Sequence, residues 1–236
     1  MKIGIIGAGA IGGTLAGHLT KRGHQVLIAN SRGPETLTKI VAETGATAVT
    51  VREAVKGVEV VIVSIPEKAV EGLPADLFAD VPASVVVIDT GNYYPELRDG
   101  PIAELDGGTL DSVWVANKLG RPVVKAFNNI GAQSLLEKGA VSGTPGRIAL
   151  SVAGDHKEAK DVTLRLLDEI GFDGVDTGSL ADSWRQQPGT PGYCKDLDAA
   201  AMTKALGDAD KSRLKQYLAE NEVFALKFLA ERAARG

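Results

Sequence analysis

Six residues near the start of the chain have the spacing of a phosphate-binding turn. Gly7-Ala8-Gly9-Ala10-Ile11-Gly12 matches the pattern G-x-G-x-x-G, and it stands between an apolar run, Lys2–Ile6, and a segment with helical spacing. In this pattern the first glycine permits a tight turn, the second lets a pyrophosphate approach the backbone, and the third lets helix and strand pack closely. Free N–H groups at the helix N-terminus then bind phosphate oxygens. The sequence therefore predicts a dinucleotide site at Gly7, Ala8, Gly9, Ala10, Ile11 and Gly12.

The residues after the second predicted strand indicate which dinucleotide binds. That strand runs into Asn30-Ser31-Arg32-Gly33, with no Asp or Glu there to bond a ribose 2′-hydroxyl. Ser31 offers a hydroxyl, and Arg32 offers a planar guanidinium suited to phosphate. We therefore expect Asn30, Ser31 and Arg32 to bind NADP(H) in preference to NAD(H). The alternative is that Arg32 is a solvated turn residue.

Two further strand ends are expected to border the same ligand. Ser64-Ile65-Pro66 ends the most strongly apolar strand, and Thr90-Gly91-Asn92 follows the next one. The carboxyl ends of strands line the ligand crevice in a doubly wound sheet. We therefore expect contacts with the ribose or nicotinamide half of the cofactor, and the alternative is that both segments are ordinary turns. The residues concerned are Ser64, Ile65, Pro66, Thr90 and Asn92.

The elements that must position these residues alternate between strands and helices. The strand candidates are Lys2–Ile6, Gln25–Ala29, Thr47–Val51, Val58–Ile65, Ser84–Asp89, Pro122–Phe127, Arg147–Ala153 and Gly174–Asp176. The helix candidates are Ala10–Arg22, Pro34–Glu43 and Asp155–Ile170. This alternation predicts an α/β protein with a Rossmann-type, doubly wound, mostly parallel sheet.

The rest of the chain predicts loops and a helical end. Residues 90–110 and 184–197 show no regular spacing, and loops of that length are often binding loops or lids. Asp208–Arg235 indicates one or two helices, with an apolar stripe that faces either the core or a second copy of the chain. That stripe consists of Leu214, Leu218, Val223, Leu226 and Leu229. We expect a nucleotide-binding domain over 1–180 and a small C-terminal loop and helical extension over 181–236, packed on that domain or on a dimer partner.

Composition narrows the classes of partner. The 236 residues include 26 Lys+Arg and 30 Asp+Glu, for a net charge of −4, which argues against nucleic acid or an anionic membrane as a partner. A single cysteine, Cys194, excludes an intrachain disulfide and favours the cytoplasm. The three histidines lack zinc spacing, so we expect no metal site. No apolar run reaches the ~18 residues of a membrane span.

Four segments together resemble a known family. GAGAIGG, NSRG, the strand ending in SIP and VVKAFNNIGAQSL (123–135) resemble the NADPH-dependent reductases of the 8-hydroxy-5-deazaflavin coenzyme, and are similar to the cytosolic domain of six-transmembrane metalloreductases. The resemblance covers residues 1 to about 180. It implies an NADP-binding Rossmann domain, a short C-terminal extension and frequent dimers. It also implies that hydride passes between the nicotinamide and a deazaflavin or flavin stacked on it.

The chain departs from that family's pattern in two places, Thr90–Gly100 and the segment from Ser179 through residues 183–191. A second substrate would be recognised there. The Trp184 indole can stack on a planar substrate, and we assign it to substrate binding. Arg185 can hold a carboxylate or phosphate, and we assign it a catalytic role. The alternative is a surface Trp–Arg pair packed under the proline-containing loop.

The resemblance also bears on the sixth predicted strand. Asn128 and Asn129 fall where the family's strand end borders the ring-stacking cleft. We assign Asn128 a catalytic role and Asn129 a substrate contact, since either amide can bond a ring amide. Turn capping is the alternative for both. Lys125 is expected to be a solvated strand lysine.

The residue set favours one reaction class over others. Hydride transfer between stacked rings depends mainly on positioning, and the sequence shows no Ser-His-Asp or Tyr-x-x-x-Lys set. We therefore expect an NADP(H)-dependent oxidoreductase with a small-molecule acceptor that is planar and flavin-like or deazaflavin-like. Two alternatives stay open: an NADPH dehydrogenase for a small carbonyl or imine, and a non-catalytic NADPH-sensing module.

Overall fold

A single eight-stranded sheet organises the chain. The computed structural model describes residues 1–235, with side chains to residue 227 and that of residue 230. The strands are β1 (Lys2–Ile6), β2 (Gln25–Ala29), β3 (Thr47–Ala48), β4 (Val60–Val63), β5 (Val86–Asp89), β6 (Val124–Lys125), β7 (Ala149–Ala153) and β8 (Asp173–Gly178). Their order is β3-β2-β1-β4-β5-β6-β7-β8. All neighbours are parallel except β6 and β7, which pair antiparallel through Lys125 and Ala153. The predicted α/β, doubly wound, mostly parallel sheet is confirmed.

Helices cover both faces of this sheet. They are α1 (Ala10–Lys21), α2 (Thr38–Thr44), α3 (Val51–Ala54), α4 (Glu67–Val70), α5 (Ala103–Asp106), α6 (Asp111–Leu119), α7 (Ala132–Glu137), α8 (Lys157–Glu169), α9 (Ala199–Asp208) and α10 (Leu214–Arg235). Successive strand residues point to opposite faces, so Ile3 and Ile5 pack with Leu15 of α1, whereas Ile6 joins the core that contains Trp114 of α6. Since both faces are buried, the central strands are apolar throughout. None of the helices in the described residues combines the length and apolar composition that a bilayer crossing requires.

Three local expectations differ from the structure. The strand predicted over Thr47–Val51 ends at Ala48, because Thr50 accepts from the Glu53 N–H and caps α3. The helix predicted from Pro34 begins as a 3-10 turn, Pro34–Leu37, before α2. Helix α9 was not predicted, although Asp198 caps it by accepting from the Ala201 N–H.

The apolar stripe predicted near the C-terminus divides into two parts. Leu218 packs on the core that contains Trp114, and Leu214 lines a groove beside it. Val223 and Leu226 are 52% and 49% exposed, so the stripe does not face the core along its whole length. The side chain of Leu229 lies outside the described residues.

The segment after β8 must travel the height of the sheet to reach the carboxyl edge. Because β7 and β8 run opposite to the other strands, the chain leaves β8 at the amino edge, where Leu180 lies beside residues 120–122. The 3-10 helix Leu180–Gln186 then carries it upward, and the Gln186 amide reaches the Lys125 carbonyl oxygen at 3.4 Å. The C-terminal loop therefore arrives at the edge where β4, β5 and β6 end.

Candidate active site

The carboxyl ends of β1, β2 and β4 open onto a cleft of about 1050 Å³. The connections of the sheet diverge at β1, which lies between β2 and β4, and doubly wound sheets bind ligands at such a point. The facing wall is formed by residues 50–52 and part of the segment 69–74. Nine residues that the sequence assigned to the dinucleotide line this cleft: Gly7, Ala8, Gly9, Asn30, Ser31, Arg32, Ser64, Ile65 and Pro66.

The three glycines of the turn are required for different reasons. Gly7 has φ +118°, and a Cβ there would lie 2.0 Å from the Ser64 carbonyl oxygen. A Cβ on Gly12 would lie 2.0 Å from the Gly7 carbonyl oxygen, so this glycine permits α1 to pack on the turn. A Cβ on Gly9 would meet no atom within 4 Å. The protein's own packing therefore does not require a glycine at position 9, and the space beside it is open to a ligand.

Helix α1 presents an uncapped N-terminus to the cleft. Its N-cap, Gly9, offers no side chain, and the first turn contains no acidic residue. The helical hydrogen bonds begin with the Gly13 N–H, which donates to the Gly9 carbonyl oxygen at 2.8 Å. The N–H groups of residues 10–12 are thus available to an anion, which the helix dipole also favours. Ala10, Ile11 and Gly12 do not line the cleft, and their predicted role rests on these N–H groups.

The turn after β2 leaves the Arg32 side chain available to bind an anion. Asn30 Oδ1 accepts from the Arg32 N–H at 3.0 Å, and its Nδ2 donates to Thr36 Oγ1 at 2.9 Å, so both amide atoms of Asn30 shape the turn. Arg52, on the facing wall, forms a two-point pair with Asp76 at 2.7 and 3.2 Å. Within the described residues no ion pair engages the Arg32 guanidinium, which is exposed at the cleft mouth.

The ends of β4 and β5 are linked to each other. The Thr90 hydroxyl donates to Ser64 Oγ at 3.0 Å. Thr90 is buried and does not line the cleft. Asn92 is half-buried and turns toward the next strand, where its Nδ2 donates to the Asn128 carbonyl oxygen at 2.9 Å. The cleft is therefore continued, through Ser64 and Thr90, by the polar side chains that follow β5.

Asn128 and Asn129 fasten the C-terminal segment to the sheet. Asn128 Nδ2 donates to Asn92 Oδ1 at 3.0 Å and to the Gln186 carbonyl oxygen at 2.7 Å, while Asn128 Oδ1 accepts from Gln186 Nε2 at 2.8 Å. The Asn129 side chain is buried against Met202, with Nδ2 3.7 Å from Sδ. The geometry corrects the expected roles of both residues, because neither amide has a donor directed at the cleft.

Trp184 and Arg185 lie outside the dinucleotide cleft. The Trp184 indole is buried, and the Arg185 guanidinium covers its ring at 4.4 Å from the centroid. Arg185 Nη1 also donates to the Leu206 carbonyl oxygen of α9 at 3.0 Å. This arrangement corresponds to the packed Trp–Arg pair rather than to a substrate clamp. The next two residues do reach the site edge, since Gln186 bonds Asn128 and Gln187 Nε2 donates to Asp111 Oδ1 at 2.7 Å.

A buried ionic cluster supports the loop after β5. Lys125 is fully buried, so the expectation of a solvated lysine was wrong. Its Nζ donates to Asp89 Oδ2 at 3.1 Å and to the Gly91 carbonyl oxygen. Burial lowers the pKa of Lys125, but the carboxylates of Asp89, Asp111 and Glu67 outweigh it, so the pKa is raised. The lysine thereby stays charged and fixes the backbone from which Asn92 projects.

Glu67, at the start of α4, is the least satisfied member of this cluster. It is fully buried, its Oε2 lies 3.4 Å from Arg98 Nη2, and its Oε1 has no partner in the described residues. Burial raises the pKa of Glu67 well above its usual 4.5, against the opposing effect of Lys125. No local sequence pattern predicts this cluster, because its members come from separate segments of the chain.

Two tyrosines complete the polar edge. Tyr94, after β5, and Tyr193, in the C-terminal loop, are hydrogen-bonded through their phenol oxygens. Asn92 Nδ2 donates to Tyr193 Oη at 3.4 Å. Burial raises the pKa of Tyr94 to about 12 and that of Tyr193 well above 10. The sequence predicts acceptor recognition by Thr90–Gly100, which contains Tyr94, and by a segment that ends at residue 191, just before Tyr193, but it singles out neither tyrosine.

The described residues contain no group of three or more His, Cys, Asp and Glu side chains arranged to hold a metal ion. Cys194 adjoins the tyrosine pair, and burial raises the pKa of its thiol to about 11. A thiol with that pKa is mostly protonated at neutral pH and therefore a weak nucleophile.

Comparison with known proteins finds relatives of the N-terminal part of the chain. Residues 2–93 match the family model for NADP oxidoreductase, coenzyme F420-dependent. Over 69 residues the chain is 54% identical to the protein YjhV of Escherichia coli K12, a match that covers 29% of this chain and 50% of YjhV. The chain thus spans about half the length of this curated relative.

Solved structures extend the likeness to most of the chain. The hypothetical protein SMa0349 of Sinorhizobium meliloti is 33% identical, with a TM-score of 0.68 over 82% of this chain and 92% of that one. A candidate F420-dependent NADP reductase from Arthrobacter sp. FB24 is 22% identical, with a TM-score of 0.63 over 78% of this chain and 87% of that one. The second likeness shows a shared fold.

Proposed function

This chain belongs to the family of NADP oxidoreductases of the coenzyme F420-dependent type, and from that premise we propose that it transfers a hydride between the nicotinamide of NADP(H) and a planar deazaflavin-like or flavin-like acceptor. The nicotinamide supplies or receives the hydride. The residues of this chain bind the phosphates, select the 2′-phosphate and hold the two reactants in line. Alignment of reacting atoms can by itself supply several kcal/mol of rate acceleration.

The observation that carries the proposal is the unfilled space beside Gly9, next to an unengaged guanidinium. The pyrophosphate would bind the N–H groups of residues 10–12, and Gly9 leaves the room that its oxygens need. The 2′-phosphate would bind Ser31 and Arg32, which line the same cleft. None of the residues 30–33 that follow β2 carries a carboxylate, and the nearest one, that of Glu35, lies against Gly33.

The nicotinamide half would extend from Ser64, Ile65 and Pro66 toward the polar edge beyond β5. Thr90 links this edge to Ser64, and Asn92 continues it. The acceptor would then stack where the Thr90–Gly100 segment meets the C-terminal loop. The identity of the acceptor belongs to this proposal, as do the roles of the individual site residues.

The test begins with the cofactor. Arg32→Ala should weaken NADPH binding about 10- to 100-fold, because hydrogen bonds to charged groups contribute about 1.5–3 kcal/mol, and it should leave NADH binding within twofold. Titration of protein fluorescence gives both affinities. Lys39→Ala is the matched control, since it removes an exposed positive charge from the neighbouring helix. Equal losses for NADPH and NADH would contradict the 2′-phosphate assignment.

Turnover then identifies the acceptor class. The wild type should oxidise NADPH with 8-hydroxy-5-deazaflavin or FMN in a direct absorbance assay. Oxidation with small carbonyls or imines only would establish the dehydrogenase alternative. Tight NADPH binding without turnover on any of these compounds would establish the sensing module.

A further inference from the structure

The two phenols beyond β5 form a hydrogen-bonding unit that the dinucleotide does not use. Tyr94 and Tyr193 come from separate loops and meet through their hydroxyl oxygens. Both residues are half-buried, so the protein packs around the pair without enclosing it completely. Two hydroxyls joined by one hydrogen bond retain one further O–H that can be donated to a ligand.

The position of this unit relates it to the nicotinamide end of the cleft. Ser64 lines the cleft and accepts from Thr90 at 3.0 Å. Two residues farther along, Asn92 donates to Tyr193 Oη at 3.4 Å. β4 and β5 are adjacent parallel strands, so their carboxyl ends lie at one edge of the sheet. The phenols therefore stand at the edge where a second reactant must meet the nicotinamide.

The residues next to the two tyrosines are themselves held in place by hydrogen bonds. The Asn92 side chain is held by Asn128 through a hydrogen bond at 3.0 Å, and Asn128 is buried beneath the C-terminal segment. The backbone next to Tyr193 is also fixed, since the Cys194 N–H donates to the Asn129 carbonyl oxygen at 3.0 Å. A residue whose neighbours are locked in this way is suited to hold a group in a reactive geometry.

We propose that Tyr193 is a catalytic proton donor to the hydride acceptor, with Tyr94 as the positioning residue that resupplies the proton. This inference rests on the proposed function. The acceptor class is a conjugated ring or carbonyl whose reducible carbon is linked through π bonds to a carbonyl oxygen or ring nitrogen. A planar deazaflavin belongs to this class, and so does a small enone.

The step balances as follows. The C–H bond of the reduced nicotinamide breaks, and its hydride, with both electrons, forms a C–H bond at the acceptor carbon. The acceptor's π electrons move onto its oxygen or nitrogen, which takes the phenol proton of Tyr193. The Tyr193 phenolate takes the Tyr94 proton, and water restores Tyr94. The nicotinamide is oxidised by two electrons and the acceptor is reduced by two.

Burial supports this role. Because it raises the pKa of both phenols, each hydroxyl carries its proton throughout the neutral range. The pair therefore functions as donor in the direction of acceptor reduction without any prior protonation. Of the buried carboxylates nearby, Asp89 accepts from Lys125 and Glu67 lies 3.4 Å from Arg98, and in the described residues neither is hydrogen-bonded to the tyrosine pair.

The experiment compares Tyr193→Phe with the wild type, using NADPH with 8-hydroxy-5-deazaflavin and with FMN. We expect kcat to fall about 100-fold, in the range that positioned general acids provide, while the Kd for NADPH stays within twofold. The wild-type rate should decrease in D₂O, because a proton is transferred with the hydride, and Tyr193→Phe should lose that dependence. Since burial raises the pKa of both phenols, the wild-type rate should not fall through phenol ionisation in the neutral range. Binding of oxidised deazaflavin to the NADP⁺-loaded protein should weaken about tenfold, since one hydrogen bond is lost.

Two further variants make the result decisive. Tyr217→Phe removes the hydroxyl of a tyrosine in α10 outside the pair, and its kinetics should match the wild type. Tyr94→Phe should reduce kcat about tenfold and leave the melting temperature within a few degrees. If the wild type turns over and Tyr193→Phe retains its rate and its solvent isotope effect, the inference is overturned and the proposed function stands. If none of the tested acceptors supports NADPH oxidation by the wild type, both the inference and the proposed function are overturned.

Discussion

At the scale of single residues, the site depends on charges that the protein has removed from water. Lys125, Asp89 and Glu67 are all buried where β4, β5 and β6 end. Lys125 and Asp89 satisfy each other and the Gly91 backbone, whereas Glu67 keeps an unpartnered oxygen. Breaking a buried pair is costly because the remaining charge has no compensation. These residues were unpredictable from sequence, since no local pattern marks a lysine or a glutamate for burial.

The stability of the protein should depend on pH through Glu67. Its pKa in the folded state is raised above the usual 4.5, so the unfolded chain releases this proton first as pH rises. Stability that is present below pH 4.5 is therefore lost as pH rises toward the folded pKa, by at most about 1.4 kcal/mol per pH unit. Glu67→Gln removes this loss, and its thermal unfolding temperature should exceed that of the wild type by more at pH 8 than at pH 5.

The matched control for this prediction is Glu71→Gln. Glu71 lies one turn along, partly exposed, and pairs with Lys68 at 3.2 Å, so it should show no such growth with pH. A Glu67→Gln variant that is less stable than the wild type by the same amount at every pH would show that the carboxylate is ionised in the folded protein.

At the scale of elements, the glycines of the turn between β1 and α1 belong to one sequence motif but meet two different requirements, close packing and room for a ligand. Gly12 serves packing, because a Cβ there would strike the backbone, and Gly9 serves the ligand. Sequence spacing predicted all the glycines equally well. It also predicted the strands and the helix that flank them, since apolar periodicity and terminal glycines are local signals. Only the structure distinguishes the glycine that close packing requires from the glycine that leaves open space.

Two alanine variants test this separation. Gly9→Ala should change the free energy of unfolding by less than about 0.5 kcal/mol, since Gly9 has φ −78°, which any residue adopts, but it should weaken NADPH binding about tenfold or more. Gly12→Ala should destabilise the fold by about 2–3 kcal/mol through overpacking. Urea unfolding and NADPH titration measure the two effects. Loss of stability in Gly9→Ala to the same extent as in Gly12→Ala would refute the assignment.

At the scale of the whole molecule, nine residues that sequence motifs assigned to the dinucleotide meet in one cleft, and their binding role stays a prediction. The acceptor edge could not be predicted in the same way. Tyr94 and Tyr193 are 99 positions apart, and they meet only because the segment after β8 climbs the sheet. The reversal of β7 that requires this climb is a long-range property of strand pairing, which periodicity does not encode.

The exposed half of α10 is the surface that we propose pairs two copies of the chain. Val223, Phe224 and Leu226 lie within about one turn of α10 and are 52%, 70% and 49% exposed, and apolar side chains grouped in this way are typical of interaction sites. Sedimentation should find a dimer for the wild type and a monomer for the double variant Phe224→Glu with Leu226→Glu. NADPH affinity should be unchanged, because the cleft that would hold the nucleotide lies at the carboxyl ends of β1, β2 and β4 and none of the described α10 side chains lines it.

Lys227→Glu is the control for that prediction, since it alters an exposed charge on the same helix without adding a charge to the apolar group. It should remain dimeric. A wild type that sediments as a monomer at high protein concentration would remove the case for this interface.

Under the proposed function, the segments that would bind the two reactants come from different parts of the chain. Gly7–Gly12 and Arg32, which would bind the nucleotide, precede residue 90, whereas Tyr94 and Tyr193, which would face the acceptor, follow it. Substitutions in the loops that carry the two tyrosines would therefore change the compound that is reduced and leave the source of the hydride the same.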